Sequence, residues 1–462
     1  MMIPKPATLL TALITAAAVV IYFVPPPAGV PVNVMHTGAL LVLVMGLWAI
    51  GTLPEYFVAL IFFALAILLG VATPAVIFSG FASGTLWLVL GGLVIAEAVR
   101  STGLGERIAR VALGTQTLTY RKLITAAVLV SLVLSFLMPA TVARILLLVP
   151  IMTAVAERHG LLRGSMGYTG VMLATILATF QCGTAILPAN APNLVLAGAA
   201  ETLYGVHLIY AEYLWSQFPV MGLIKGWLIM VMICRLCPAE TQAGATVAEL
   251  PPMSAEEKRL AVIVFASLAL WATDFLHDIR PGWIALTAAV IAMMPRIGAV
   301  PVTMFQERVR FGTFFYIGAI LGLGAVMIET GLSVAIGNAV LSLFRLEPGA
   351  DAANFAVLSL LSTFAGLITT NPSQPALMAP LAGHFAEAAG WPLKTALMTL
   401  AVGFSTVILP YQVPPVVVGL QIAHLSVRTA MRVTVPLAAI SIVALIPLQY
   451  FWWKLIGYFG AE

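Results

Sequence analysis

The sequence predicts an all-α polytopic membrane protein of about eleven transmembrane helices, with two re-entrant hairpins arranged in two inverted repeats. Three observations predict it. Apolar residues make up 61% of the 462 positions and charged residues only 9%, against about 25% charge in soluble domains. Apolar runs near the roughly 20 residues that cross a bilayer recur along the whole chain. A short proline-containing motif occurs twice, once in each half. A mean hydropathy of +1.06 is more than one soluble core can bury, which excludes a soluble enzyme. The short alternating segments of a membrane barrel do not dominate. The net charge of +4 reports topology, and no basic arm suggests nucleic acid.

In chain order, spans are expected at 7–24, 35–50, 54–72, 84–100, 166–203, 213–236, 258–275, 281–295, 312–329, 395–422 and 433–453. The first is read as a helix rather than a cleaved signal, because no small-residue cleavage site precedes Pro25, Pro26 and Pro27. The spans 166–203 and 395–422 are interrupted. Two further stretches, 123–157 and 353–390, carry polar, proline-containing breaks at Met138-Pro139-Ala140-Thr141 and Thr369-Thr370-Asn371-Pro372-Ser373-Gln374-Pro375. Each reads as two half-length helices folded back at membrane depth. That is tolerated only where protein or a polar cavity covers the bared backbone.

Charge placement orients this layout. With the N-terminus cytoplasmic, Arg280, Arg345, Lys394 and Lys454 face outward, Arg144 and Lys225 lie within the apolar stretches, and the other sixteen of the 22 Lys and Arg residues face inward. That bias matches the positive-inside rule. The expected location is the cytoplasmic (inner) membrane, with the C-terminus outside.

The halves repeat. Gly84-Thr85 and Thr102-Gly103-Leu104 recur as Gly312-Thr313 and Thr330-Gly331-Leu332. The run from Thr184 through Pro188 and Asn190 to Pro192 recurs from Thr406 through Pro410 and Gln412 to Pro414, as T-x-I-L-P-x-[N/Q]-x-P. Five crossings separate the repeats, so their topology is inverted. Proline within a span frees backbone groups, and matched broken helices mark the binding site of a secondary transporter.

Half-helix N-termini near the midplane suit an anion. The candidate substrate residues are Thr141, Val142, Arg144, Asn190, Ala191, Asn193, Thr370, Asn371, Ser373, Gln374, Gln412, Val413 and Pro414. Neutral donors dominate this set, and no acidic pair offers a proton relay. Arg144 is expected to face the anion as a fixed cation, the alternative being that it meets helix C-terminal carbonyls or a carboxylate such as Glu97. Lys225 is expected to snorkel or contact the other domain, Glu97 to reach headgroups, and His384 to make an ordinary polar contact. Cys234 and Cys237 form a CxxC without a second ligand pair, and read as helix-end packing.

The hairpins ending at Pro150 and Pro380, the Leu86–Leu104 segment and the Leu-Pro-x-x-x-Pro breaks resemble the divalent anion:sodium symporter family, over nearly the whole chain. The resemblance implies a homodimer with an elevator mechanism. The scaffold would comprise 1–116 and 258–346, the moving transport part 117–236 and 347–462, with a cytoplasmic linker at 237–257. The family carries Ser-Asn-Thr at each hairpin tip. This chain has Ala140-Thr141-Val142 and Thr370-Asn371-Pro372, so side-chain oxygens for sodium are lost at the first tip. Any sodium is expected near Thr370, Asn371 and Gln412, and no other cofactor or metal is expected. The function expected is sodium-independent exchange of small organic or inorganic anions of the di- or tricarboxylate kind. Alternatives are a sodium-coupled dicarboxylate or sulfate symporter, a cation antiporter, a channel, and a polytopic membrane enzyme. The antiporter lacks intramembrane acids near the breaks, and the enzyme lacks clustered histidines. The expected partners are the anionic substrate, the bilayer and a second copy of the chain.

Overall fold

Paired helices broken near their middles dominate the computed structural model, which describes residues 6–27, 29–114, 118–242 and 250–460. Every regular element among the described residues is helical. Among the described residues, seven helices are long and apolar enough to cross a membrane: Val32–Ile50, Gly84–Thr102, Tyr120–Leu137, Tyr210–Leu236, Gly312–Glu329, Asp351–Ile368 and Val427–Leu455. Shorter apolar helices include Pro6–Phe23, Glu55–Leu68 and Pro281–Met293. Tyr210–Leu236 contains a π-helical stretch, Phe218–Ile224, where Pro219 removes a backbone donor.

Both stretches expected to fold back do contain a break between two helices, but the arms are not half-length. Tyr120–Leu137, Thr141–Arg158 and Asp351–Ile368 each have 18 residues, about 27 Å at 1.5 Å per residue. The helices start earlier than their apolar runs because Tyr120, Arg121 and Lys122, and Asp351 and Ala352, continue them without a breaker. The last arm is divided into Ser373–Met378 and Ala382–Ala389 by a 3-10 turn at Pro380. Pro150 leaves Thr141–Arg158 continuous.

The Thr-Gly-Leu motifs are matched corners. Gly103 and Gly331 take φ values of +83 and +80, in the left-handed region that glycine enters without a Cβ penalty. Each corner starts a short helix, Leu104–Leu113 or Leu332–Leu343. The expected linker at 237–257 falls partly on residues 243–249, outside the described residues. The linker also ends sooner than expected. Ser254 and Glu257 form a capping box that begins helix Ala255–Ala272, and Arg107 donates to Glu257 at 2.9 Å.

Packing follows the repeat. Tyr120–Leu137 lies on Met166–Gln181, and Asp351–Ile368 lies on Leu393–Phe404. The second halves of the broken helices then cross over. Ala191–Tyr204 packs on Ser373–Met378, and Pro414–Ile422 packs on Thr141–Arg158. The exchange brings the four breaks together. Outside this group, Gly84–Thr102 lies along Pro281–Met293, and Glu55–Leu68 along Gly312–Glu329.

The Gly84–Thr102 and Pro281–Met293 helices touch backbone to backbone. A Cβ on Gly282 would lie 2.0 Å from the Gly84 carbonyl oxygen. Small residues permit such approaches between membrane helices. Gly282→Ala is therefore expected to cost about 1–3 kcal/mol through overpacking. Thermal unfolding in detergent should register this as a clear drop in midpoint, while Gly460→Ala, with nothing within 4 Å, leaves it in place.

Candidate substrate site

Half-helices that stop at membrane depth leave carbonyls at their C-terminal ends and N–H groups at their N-terminal ends. Side chains from the breaks take up the carbonyls. At the end of Met166–Gln181, the Thr179 carbonyl accepts from Arg144 at 3.0 Å, that of Phe180 from Asn190 Nδ2 at 2.8 Å, and that of Gln181 from Thr184 Oγ1 at 2.7 Å. At the end of Leu393–Phe404, Gly403 accepts from Thr363 Oγ1 at 3.1 Å, Phe404 from Asn371 Nδ2 at 2.7 Å, and Ser405 from Lys225 Nζ. Three of the polar residues that the sequence nominates, Arg144, Asn190 and Asn371, thus close helix ends.

The N-terminal end of Thr141–Arg158 is different. Its N-cap, Ala140, provides no side-chain acceptor. Thr141, Val142 and Ala143 line a cavity of about 1600 Å³. Ala191, Pro372, Val413, Pro414 and Tyr316 line the same cavity. An uncapped N-terminus of an 18-residue helix, opening on a cavity, favours an anion through its N–H groups and its dipole. Farther out the cavity is bordered by Arg100, Arg110, Arg158, Arg308 and Arg310, together with Glu97, Glu106 and Glu307. Glu97 pairs with Arg100 at 2.5 Å and Arg308 at 3.8 Å, and Glu106 with Arg110 at 2.6 Å. Glu97 therefore holds two arginines at the cavity mouth instead of reaching headgroups.

Of the expected substrate residues, Thr141, Val142, Ala191, Val413 and Pro414 reach the cavity wall. Asn190, Asn193, Asn371, Ser373, Gln374 and Gln412 are buried behind it. Thr370 is half-buried and shares a 2.9 Å hydrogen bond with Ser373. Gln374 donates to Ser362, Asn193 to the Gly183 and Ile186 carbonyls, and Gln412 Oε1 accepts from the Ile408 and Leu409 N–H groups. In this structure these amides hydrogen-bond to the chain itself. Amides beside a chain break satisfy bared backbone first, since an unmet buried carbonyl is costly.

Arg144 meets carbonyls at the breaks. It is fully buried and absent from the cavity wall. Its guanidinium donates to the carbonyls of Met138, Ala189 and Thr179, to Asn190 Oδ1 at 3.2 Å and to Thr141 Oγ1 at 3.3 Å. Five oxygens thus converge on it, and among the described residues none belongs to a carboxylate. It stands directly behind Thr141, so its charge faces the cavity through one residue's thickness. Lys225 does not snorkel. It too is fully buried. His384 packs against Gly337.

Two features were not legible as site elements. Tyr316 lines the cavity and its hydroxyl shares a 2.9 Å hydrogen bond with Ser373, yet in sequence it is one aromatic in an apolar span. The mouth arginines were visible as a charge cluster but weighed only for topology. Away from the cavity, Glu201 at the end of Ala191–Tyr204 accepts from Ser83 Oγ (2.6 Å), the N–H groups of Gly84 and Thr85 (both 3.1 Å), Thr85 Oγ1 (3.1 Å) and Arg280 (2.9 Å). One carboxylate thereby caps helix Gly84–Thr102 and ties it to a broken helix.

Comparison with known proteins bears on this arrangement. Residues 6–459 match the family profile described as the sodium:sulfate symporter transmembrane region. The inner membrane protein YbhI of Escherichia coli is 24% identical over 96% of this chain and 97% of its own. The L-tartrate/succinate antiporter of Shigella sonnei is 22% identical over 73% of this chain and 72% of its own. In fold, the chain is similar to the YdaH transporter of Alcanivorax borkumensis, with a TM-score of 0.56 and 16% identity over 83% of this chain and 88% of that one.

Proposed function

We propose, from the premise that the chain belongs to the divalent anion:sodium symporter family of multi-pass membrane transporters, that it exchanges small organic dianions across the inner membrane without sodium. The observation that carries this reading is Arg144 held on five oxygens behind an uncapped helix N-terminus at the cavity floor. The same oxygens, three carbonyls, one amide and one hydroxyl, are the donor set that a hard cation such as sodium would need. With a guanidinium on them, the positive charge that attracts the anion is part of the chain. The relatives support the substrate class: one is an L-tartrate/succinate antiporter. The match to YbhI, an inner membrane protein, supports the location, and the positive-inside bias supports a cytoplasmic N-terminus.

In this reading the cavity, bordered by arginines expected on the cytoplasmic side, is the inward-open path. Residues 117–236 and 347–462 move as the transport part against 1–116 and 258–346, by an elevator motion in a homodimer. Thr141, Val142 and Ala191 contact the anion, with Val413 and Pro414 across from them. A sodium-coupled reading has one specific observation in its favour. At the second break the buried Asn371 Oδ1 and Thr406 Oγ1 have no hydrogen-bond partner among the described residues, and oxygens of that kind suit sodium.

Proteoliposomes loaded in turn with succinate, tartrate or sulfate test the substrate class. Labelled succinate is expected to enter vesicles loaded with either dicarboxylate, and a tenfold excess of external monocarboxylate is expected not to compete. Failure of every anion to exchange would reject the reading.

A further inference from the structure

Lys225 is, with Arg144, one of two fully buried Lys or Arg side chains among the described residues, and it occupies a place that corresponds to that of Arg144. Its ammonium donates to the carbonyl of Ser405, the residue that ends helix Leu393–Phe404 at the second break. Arg144 donates to the Thr179 carbonyl at the end of helix Met166–Gln181, at the first break. Each broken helix therefore has a side-chain cation on its bared C-terminal carbonyls, where the helix dipole is negative.

Lys225 also stands between the two breaks. Cys182, the residue that ends Met166–Gln181, packs against the next residue, Gly226. A Cβ there would lie 3.2 Å from its sulfur. Another residue of the same helix reaches the first break, where Tyr213 donates to the Thr184 carbonyl at 2.9 Å, and Gln217 donates to the Met398 carbonyl within helix Leu393–Phe404 at 3.4 Å. The π-helical stretch Phe218–Ile224 ends at Lys225. Such stretches are common at functional sites.

The hydrogen bond to the Ser405 carbonyl does not by itself call for a lysine. Burying an ammonium at membrane depth costs several kcal/mol, and lysine is almost never fully buried unless it is paired. No carboxylate pairs with it among the described residues, and Ser405 is its only hydrogen-bond acceptor there. A glutamine or serine could serve one carbonyl without that cost.

We infer that Lys225 supplies a second fixed positive charge at the meeting of the two breaks, and that together with Arg144 it makes a divalent anion the species that crosses. This rests on the carrier reading above. Lys225 does not line the cavity and acts on the anion through space, as a positioning residue. Two fixed charges are balanced by a bound dianion and left bare in the empty carrier. Carrying two uncompensated charges across the bilayer is strongly unfavourable, so the empty carrier does not return and transport is obligatory exchange.

The test uses the full chain in proteoliposomes, with the membrane potential set by potassium and valinomycin. The probes are labelled succinate and labelled monomethyl succinate, its singly charged relative. Lys225→Gln keeps an N–H for the Ser405 carbonyl and removes the charge, whereas Lys225→Arg keeps the charge. The wild-type chain is expected to prefer succinate at least tenfold. Lys225→Gln is expected to reduce that preference at least tenfold and to make succinate exchange respond to voltage, and Lys225→Arg to behave as wild type. If Lys225→Gln does not transport, stabilisation of the purified protein by the two acids gives the same comparison. Unchanged discrimination in Lys225→Gln, by either measurement, overturns the inference. A wild-type chain that exchanges no anion overturns the carrier reading instead.

Discussion

Arg144→Ala is expected to abolish sodium-independent exchange, by tenfold or more, and to make the remaining transport respond to sodium. The substitution removes the guanidinium's donors from the Met138, Ala189 and Thr179 carbonyls, and leaves Ala189 with Thr141 Oγ1 at 3.2 Å. Each buried acceptor left unmet costs about 1–3 kcal/mol, and removing one partner from a buried charged network costs on the order of 3–5 kcal/mol. The thermal midpoint in detergent is therefore expected to drop. Sodium is expected to recover part of that loss, because the vacated oxygens are the kind that bind it, and a ligand that binds only the folded state stabilises it. Arg144→Lys is expected to be intermediate, since a point ammonium cannot reach the spread of acceptors that a planar guanidinium serves. Sodium titrations of uptake and of thermal stability read both effects. An Arg144→Ala chain with wild-type exchange, indifferent to sodium, would show that the guanidinium only closes the break.

Glu201→Gln is expected to shift the carrier away from the state described above, with its cavity open on the arginine-rich side. Glu201 belongs to the part proposed to move, and its five donors come from Ser83, Gly84, Thr85 and Arg280, in the part proposed to stand still. It lies outside the cavity wall, so its loss does not remove a substrate contact. Hydrogen bonds to a charged group contribute about 1.5–3 kcal/mol each, and about 1.4 kcal/mol already changes a population ratio tenfold. Leu146 lines the cavity and is 38% exposed. With cysteine placed there, labelling by a membrane-impermeant thiol reagent from the cavity side is expected to slow several-fold in the Glu201→Gln background. An unchanged labelling rate would mean that the Glu201 cluster caps a helix and holds nothing shut.

How far the sequence could be read depended on the kind of signal. The breaks were legible because proline and paired polar residues interrupt otherwise apolar runs, and because Thr184–Pro192 and Thr406–Pro414 repeat one pattern. Helix existence followed from run length. Helix ends did not: Tyr120 and Asp351 begin their helices ahead of the apolar stretch, since a polar residue without a breaker continues a helix as well as an apolar one.

In the candidate site, residue types were legible and directions were not. Asn190 and Asn371 sit where the motif places them, but the demand of bared carbonyls at Phe180 and Phe404 claims their amides. The same demand claims Arg144. Which group serves the protein and which serves a ligand depends on what lies opposite in space. Glu201 and its partners at Ser83 and Thr85 are more than a hundred residues apart in sequence, so no local pattern joins them.

The account turns on built-in charge replacing a coupled cation. Uptake of labelled succinate by the wild-type chain, into vesicles loaded with succinate and into empty ones, each with and without an inward sodium gradient, tests it most directly. Uptake that requires internal succinate and ignores sodium is the predicted result. Sodium-driven uptake into empty vesicles would contradict it.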